Sequence, residues 1–132
     1  MRYLRDSIGD SVPRSAVVSG SLFGLASAFQ VALAAGAPWG RLAWGGGHEG
    51  RLPTGLRVAS VGSAIVLLGI AAVVVRRRRG RVVALRMVLG FSVVSAVVNA
   101  ASPSVPERLV WTPFAIVQCA LIAMTLRTER RS

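Results

Sequence analysis

The chain lacks most of the residues that metal sites and redox sites require. It has no lysine, one cysteine (Cys119) and one histidine (His48) among 132 residues. A single cysteine excludes a disulfide within the chain and a CxxC redox pair, and a single histidine leaves a zinc site short of nitrogen ligands. Acidic residues number five against sixteen arginines. We therefore expect no cofactor, no metal and no enzymatic activity.

Polar surface is also scarce. Hydrophobic residues make up 53% of the chain and its mean hydropathy is +0.59. A soluble domain of this size leaves roughly a third of its unfolded surface exposed and would need more polar residues to cover it. The net charge of +11 is typical of nucleic-acid binding, but here the arginines stand between long apolar runs. The predicted partner is the lipid bilayer, not nucleic acid.

Four apolar runs are long enough to cross a hydrocarbon core about 30 Å thick as helices. They predict one all-α transmembrane domain over residues 1–132, an integral membrane four-helix bundle. The predicted spans are 15–37, 56–75, 82–101 and 105–126. A longer loop, 38–55, joins the first two spans, and a short basic loop, 76–81, joins the second and third.

The basic loop predicts the orientation of the chain. Five of its six residues are arginines, which keep a loop on the cytoplasmic side of a membrane: Arg76, Arg77, Arg78, Arg79 and Arg81. An even number of spans then places both termini in the cytoplasm. Eleven arginines fall on that side and four on the outer side, which agrees with a multi-pass protein of the plasma membrane.

Small residues recur at every fourth position of the first span. A helix with such a strip can approach a neighbouring helix closely, so the pattern predicts a central helix that packs through Gly20, Gly24 and Ala28. The strip can serve contacts within one chain, or contacts with a second copy or another membrane protein. An alanine- and glycine-rich composition without structural meaning is the alternative.

The N-terminal region allows two further alternatives. Residues 1–14 are polar, and their apolar residues are spaced for a short helix on the membrane surface, with disorder as the other interpretation. Ala32-Leu33-Ala34 has the pattern of a signal-peptidase site. The apolar stretch before it is longer than a signal peptide needs and contains Gln30, so we expect the first span to be retained.

The 38–55 loop and the 99–113 segment share tryptophan, proline and charged residues and lie on the same predicted side. We expect the loop to be structured and to contact that segment, with Arg57 paired to Glu107. Ser104 and Glu107 have the spacing of a capping box at the start of the last span.

Three amides fall in the outer half of three different spans: Gln30, Asn99 and Gln118. Neutral amides at that depth usually bridge helices. The alternative is an outward-facing polar cavity under the 38–55 loop, with charged or polar residues at its rim: His48, Glu49, Arg57 and Glu107. Glu107, at the outer end of the last span, is counted with this rim, and no other acidic residue falls in a span. Four-span cation transporters, which need a carboxylate in the membrane, are therefore a poor match.

Two stretches of the chain have distinctive patterns. The first runs Gly36-Ala-Pro-Trp-Gly-Arg-Leu-Ala-Trp-Gly-Gly and continues to Leu52-Pro-Thr-Gly-Leu-Arg57. The second is Asn99-Ala-Ala-Ser-Pro-Ser-Val-Pro-Glu-Arg-Leu-Val-Trp-Thr-Pro113. In these stretches the chain resembles a family of small, uncharacterised four-span bacterial membrane proteins. The resemblance implies that both stretches lie on the outer face, and it implies no activity.

Two function classes remain open at this point. The first is a structural, interaction or accessory membrane protein that contacts lipid or another protein through its helix surfaces. The second is a small-molecule or ion transporter or binder that uses the three amides. A pocket that touches all three amides would favour the second class, and tight packing of the amides on each other would favour the first.

Overall fold

The structure, a computed structural model, describes residues 11–131. Residues 1–10 and Ser132 lie outside it, and with them most of the surface helix predicted at 1–14. Four helices account for most of the described chain: α1 (Arg14–Ala35), α2 (Thr54–Val75), α3 (Arg81–Ala100) and α4 (Val105–Arg131). Residues 11–131 contain no strand. The predicted all-α, four-helix architecture is confirmed.

Each helix is long and apolar enough to cross a membrane. A helix of 22 residues such as α2 is about 33 Å long, close to the thickness of a hydrocarbon core. Large apolar side chains cover the outside of the bundle, and several are more than 60% exposed, among them Leu25, Ile65, Met87 and Leu109. In water such a large exposed apolar surface would promote aggregation, so this distribution of apolar side chains fits a multi-pass membrane protein.

The helices form two hairpins. α1 packs chiefly on α2 and α3 chiefly on α4, while α1 and α4 join the two hairpins. Hydroxyl groups support the contacts: Ser27 donates to the Ala64 carbonyl of α2 at 2.7 Å, and Ser15 and Thr125 of α4 lie 2.7 Å apart. α2 and α3 touch only sparsely. A gap is therefore available between the two helices.

Only part of the small-residue strip on α1 packs within the chain. A Cβ at Gly20 would come within 2.5 Å of Val75 Cγ1, so α1 and α2 meet there at backbone distance. A Cβ at Gly24 would meet nothing within 4 Å, and Ala28 is exposed. The prediction of packing through Gly24 and Ala28 is wrong for the single chain, because α1 turns these residues away from its neighbours.

The helix ends agree with the predicted spans to within two residues, except at the end of α4. α1 ends where Gly36 takes a φ of +105° and Ala37 donates to the Ala32 carbonyl at 2.9 Å, a glycine-based helix stop. α4 continues to Arg131 instead of ending at residue 126. Glu129, on this extra turn, contacts α3, which explains the extension.

The two ends of the bundle differ in character. We call the end with residues 36–53 and the turn 101–104 the lid end, and the end with residues 76–80 the arginine end. Arg76, Arg77, Arg78 and Arg79 are exposed there. Arg81 is not part of this exposed loop as predicted: it is the first residue of α3 and is 5% exposed.

Arg81 is buried because it has partners on two helices. Its Nη2 donates to the Val74 carbonyl at 2.8 Å, and its Nη1 lies 3.1 Å from Glu129 Oε1. Ser11 also lies at this end, where its carbonyl accepts from Arg77 Nη2 at 3.1 Å. The described chain ends and the arginine loop therefore share one end of the bundle.

Candidate functional site

The loop between α1 and α2 folds into a compact lid over residues 36–53. Two single turns of 3₁₀-helix, Gly40–Leu42 and Trp44–Gly46, form its middle. Gly40 donates to the Gly50 carbonyl at 2.9 Å and is covered by the backbone of residues 48–50. Ala43 and Leu52 are buried against Leu33 of α1. The lid is thus anchored to the first hairpin.

The lid also contacts the second hairpin, as the sequence predicted for this loop and the 99–113 segment. Ser104 Oγ donates to the Arg41 carbonyl at 2.6 Å, and Trp111 Nε1 donates to the Leu42 carbonyl at 2.6 Å. Gly46 lies so close to Ser104 that a Cβ there would be 2.3 Å from Ser104 Cβ. Backbone carbonyls of the lid are thereby satisfied by side chains of the opposite hairpin.

The predicted ion pair between Arg57 and Glu107 is wrong. Arg57 Nε instead donates to the Ala34 carbonyl at 2.9 Å, which satisfies a carbonyl in the last turn of α1. The ion pair that does form in the lid joins Arg41 and Glu49, both well exposed. Arg57 therefore ties α2 to α1 and does not reach Glu107.

Glu107 is a buried acidic residue beneath the lid. It is 7% exposed, in the first turn of α4, and it accepts from the Gly45 N–H at 3.3 Å and from the Ser102 hydroxyl. One of the two hydrogen bonds of the predicted capping box forms, because Glu107 N–H donates to Ser104 Oγ at 3.4 Å. The Glu107 carboxylate accepts from the lid at Gly45 instead of completing the box. The prediction that counted Glu107 with an outer rim, and so left the spans without a carboxylate, is wrong: Glu107 is buried in the first turn of α4.

Below the lid lies a cavity of about 600 Å³. All three predicted amides and Glu107 line it: Gln30, Asn99, Gln118 and Glu107. Its walls also include residues from α2 and α3, and Val66, Phe91 and Val98 among these remain exposed. The cavity therefore opens sideways through the gap between α2 and α3.

The three amides differ in their partners. Gln118 bridges helices: it accepts from Ser19 Oγ at 2.6 Å and donates to the Ser19 carbonyl at 3.2 Å. Asn99 donates to the Ser95 carbonyl of its own helix at 2.8 Å. Gln30 Oε1 is buried and has no hydrogen-bond partner among residues 11–131. The amides do not pack on one another, and two of them keep hydrogen-bonding capacity.

Aromatic rings form a continuous column along the wall between α1 and α4. Phe23 and Phe114 meet edge to face with centroids 6.3 Å apart, and Phe114 meets Trp111 at 5.3 Å. Phe29 continues the column from Trp111 at 4.9 Å and stacks on Trp39 at 5.8 Å. Phe23, Phe114 and Trp111 also line the cavity, so this part of its wall is aromatic and largely apolar.

Sequence reasoning missed the role of two tryptophans. Trp44 and Trp111 both line the cavity, although neither was among the residues predicted for the site. Trp44 takes a φ of +55° and its Nε1 donates to Ser60 Oγ on α2 at 3.1 Å. The glycines that follow it at 45–47 were the available signal, because they permit a backbone turn that directs the indole inward.

The remaining residues of the predicted site lie elsewhere. His48 and Glu49 are exposed on the lid and do not line the cavity, and Arg57 is engaged with α1. Within residues 11–131 no group of three His, Cys, Asp or Glu residues is placed to hold a metal ion. The candidate site is thus a cavity lined by amides, a carboxylate and aromatic rings. No family model, curated protein or solved structure matches the chain.

Proposed function

We propose that the chain crosses the plasma membrane of a bacterial cell four times, with the lid end outside and both termini in the cytoplasm. Eleven arginines belong to the arginine end and the two terminal segments, whereas four belong to the lid end. Cytoplasmic loops are enriched in arginine, so this asymmetry supports the orientation. Reporter fusions after Arg79 and Ser132 should read cytoplasmic and one after His48 external. An external signal at Arg79 would refute the arrangement.

Within that membrane the protein acts as a small-molecule binder. The observation that carries this function is the cavity of about 600 Å³, which touches Gln30, Asn99 and Gln118. Ligand sites are concave, mostly apolar and provided with a few convergent polar groups, and their volumes are about 300–1,000 Å³. Amides that served only to join helices would each be satisfied by another helix. Gln118 alone fits that description.

The sideways opening suggests how a ligand enters. Because α2 and α3 touch sparsely, an amphiphile can pass between them from the bilayer without moving the lid. The polar groups near the lid would receive its polar end, and the aromatic wall would hold its apolar part. The ligand is therefore a small amphiphile and not a free inorganic ion.

Gentle purification followed by native mass spectrometry tests this function. The wild type should retain a bound molecule of low mass that is lost on harsher delipidation. Ser95→Phe would fill the cavity, since Ser95 lines it, and should abolish retention. Val97→Phe, on the outward face of α3 with Val97 65% exposed, is the matched control and should retain it. Equal retention by both variants would contradict a cavity site.

A structural or interaction role remains the second candidate. The observation that favours it is that Gly24 and Ala28 face away from the chain's own helices, where a second copy or another membrane protein could pack. Gly24→Leu should then abolish cross-linked dimers in membranes or release a co-purified partner. Unchanged assembly would remove the support for this role.

A further inference from the structure

Glu107 differs from the other acidic residues of the described chain. Three acidic residues fall within residues 11–131. Glu49 forms an ion pair with Arg41, and Glu129 with Arg81. Glu107 forms no ion pair there, although the chain contains sixteen arginines. A carboxylate that is 7% exposed and meets only neutral donors is costly unless a positive charge comes to it.

The arginines of the lid end are engaged elsewhere. Arg41 faces Glu49, and Arg57 donates to the Ala34 carbonyl. Arg51 lies against Gly36, and Arg108 donates to the Ser102 carbonyl at 3.2 Å. The fold thus keeps four cations close to this end and directs none of them to Glu107. The described residues supply Glu107 only with the partial positive charge of the α4 N-terminus, so a cationic ligand would provide the full counter-charge that this carboxylate lacks.

The rest of the cavity also favours a positively charged ligand. Gln30 Oε1 is a buried acceptor without a partner among the described residues. The Asn99 side chain, which donates through its nitrogen to the Ser95 carbonyl, lines the same cavity. Trp44, Trp111 and Phe91 line the same space. Aromatic faces attract cations, and more strongly where water is excluded. Acceptors, one carboxylate and aromatic rings together form a site for a cation.

We infer that the cavity binds an amphiphilic organic cation, with its charged head against Glu107 and its apolar body directed towards Gln118. Both residues lie on α4 and line the cavity. Eleven residues of helix separate them, about 16 Å at 1.5 Å per residue. This length suits an amine or quaternary ammonium group that carries a hydrophobic body. The inference rests on the proposed function and specifies the class of ligand.

The test compares a cation with its neutral isostere. The probes are (4-phenylbutyl)trimethylammonium and the compound in which a tert-butyl group replaces the trimethylammonium group. Binding is followed by the fluorescence of the cavity tryptophans, with the protein in nanodiscs of uncharged phosphatidylcholine. The wild type should bind the cation at least about tenfold more tightly than the neutral compound, as one carboxylate contact in a partly desolvated site allows.

Two variants separate the charge of Glu107 from its contacts with the lid. Glu107→Gln keeps an acceptor for the Gly45 N–H but removes the charge, so the two probes should bind about equally. Ser102→Ala removes a hydrogen bond to the carboxylate but keeps the charge, so the preference for the cation should persist. If Ser102→Ala also loses the preference, Glu107 acts by bracing the lid and the inference is overturned.

The remaining outcomes also decide the matter. Equal binding of both probes to the wild type, or a cation preference that survives Glu107→Gln, overturns the inference and leaves a neutral-ligand binder. Binding of neither probe to the wild type overturns it as well. The proposed function is then judged separately by the molecule retained in native mass spectrometry and by its loss in Ser95→Phe.

Discussion

Gly46 illustrates how single residues determine the fit of the lid. It has a φ of +68°, and a Cβ there would be 2.4 Å from Ser104 Oγ. Gly46→Ala should therefore destabilise the protein by about 1–3 kcal/mol through overpacking and backbone strain. Gly47 has a φ of −72° and open space around it, so Gly47→Ala is the matched control.

Hydrogen exchange in nanodiscs checks this prediction. The amides of residues 40–46 should exchange faster in Gly46→Ala than in the wild type, because the lid must move away from Ser104. Gly47→Ala should exchange like the wild type. If both variants leave the lid protected, Ser104 can move aside and Gly46 is not required for docking.

Arg81 and Glu129 allow a comparison of a buried and an exposed ion pair in one chain. Their side chains are 4% and 16% exposed, against 62% and 76% for Arg41 and Glu49. Glu129→Gln leaves a buried guanidinium without its counter-charge and should cost about 3 kcal/mol. Glu49→Gln should cost less than about 1 kcal/mol.

Thermal unfolding in detergent is the measurement, with both variants compared with the wild type at one salt concentration. Glu129→Gln should lower the midpoint clearly, and Glu49→Gln should scarcely change it. Similar midpoints for the two variants would mean that water reaches Arg81 at the arginine end, and that its burial contributes little to stability.

At the scale of elements, α1 has two faces that the sequence pattern alone does not distinguish. Gly20 packs on α2, where an added Cβ would be 2.5 Å from Val75 Cγ1 and 3.4 Å from the Ala71 carbonyl oxygen. An added Cβ at Gly24 would have no atom of residues 11–131 within 4 Å. Gly20→Leu should separate α1 from α2 and lower the thermal midpoint of the monomer. Gly24→Leu should leave that midpoint unchanged. The reverse order would mean that α1 is rotated relative to the packing described.

The sequence predicted the four helices well because a single physical requirement determines them. A backbone in hydrocarbon must satisfy its own hydrogen bonds, so each apolar run between arginine or proline boundaries becomes a helix. The partners of charged residues were harder to predict. Arg57 and Glu107 are opposite in charge and at one end of the bundle, yet Arg57 reaches Ala34 and Glu107 reaches Gly45.

The difference arises from the lid backbone. Whether Glu107 meets an arginine depends on the positive φ values of Trp44, Gly45 and Gly46, which bring the Gly45 N–H to the carboxylate. The glycines at 45–47 permit such a turn, but the sequence does not show which side chain the Gly45 N–H will meet. Gln30, Asn99 and Gln118 could be found from sequence, because polar residues in apolar runs are conspicuous. Whether they pack together or surround a cavity depends on how far α2 and α3 separate.

At the scale of the whole molecule, the two hairpins meet through α1 and α4 and leave α2 and α3 apart. Such a bundle has one open side, and the cavity lies behind it. The lid joins the hairpins above the cavity through Ser104, Trp111 and Glu107. A ligand held between the hairpins would therefore contact both of them and the lid at once, and its binding should stabilise their association.

Cysteine labelling tests the cavity and the orientation together. In a Cys119→Ala background, Ser63→Cys and Ser95→Cys place a thiol on the two helices beside the gap, since both serines line the cavity. A membrane-impermeant maleimide reacts with the thiolate and so needs water at the site. The cavity also extends up to Trp44 and Gly45 of the lid, so we expect water to enter it at the lid end as well. Maleimide added outside spheroplasts should then label both positions, because the lid end faces outwards. Ser19→Cys, buried against Gln118 and outside the cavity, should stay unlabelled.

Two outcomes would contradict these expectations. Labelling of Ser63→Cys only after the spheroplasts are broken would mean that the orientation is reversed. Labelling of Ser19→Cys as fast as that of the other two positions would show that α1 and α4 are not packed as described.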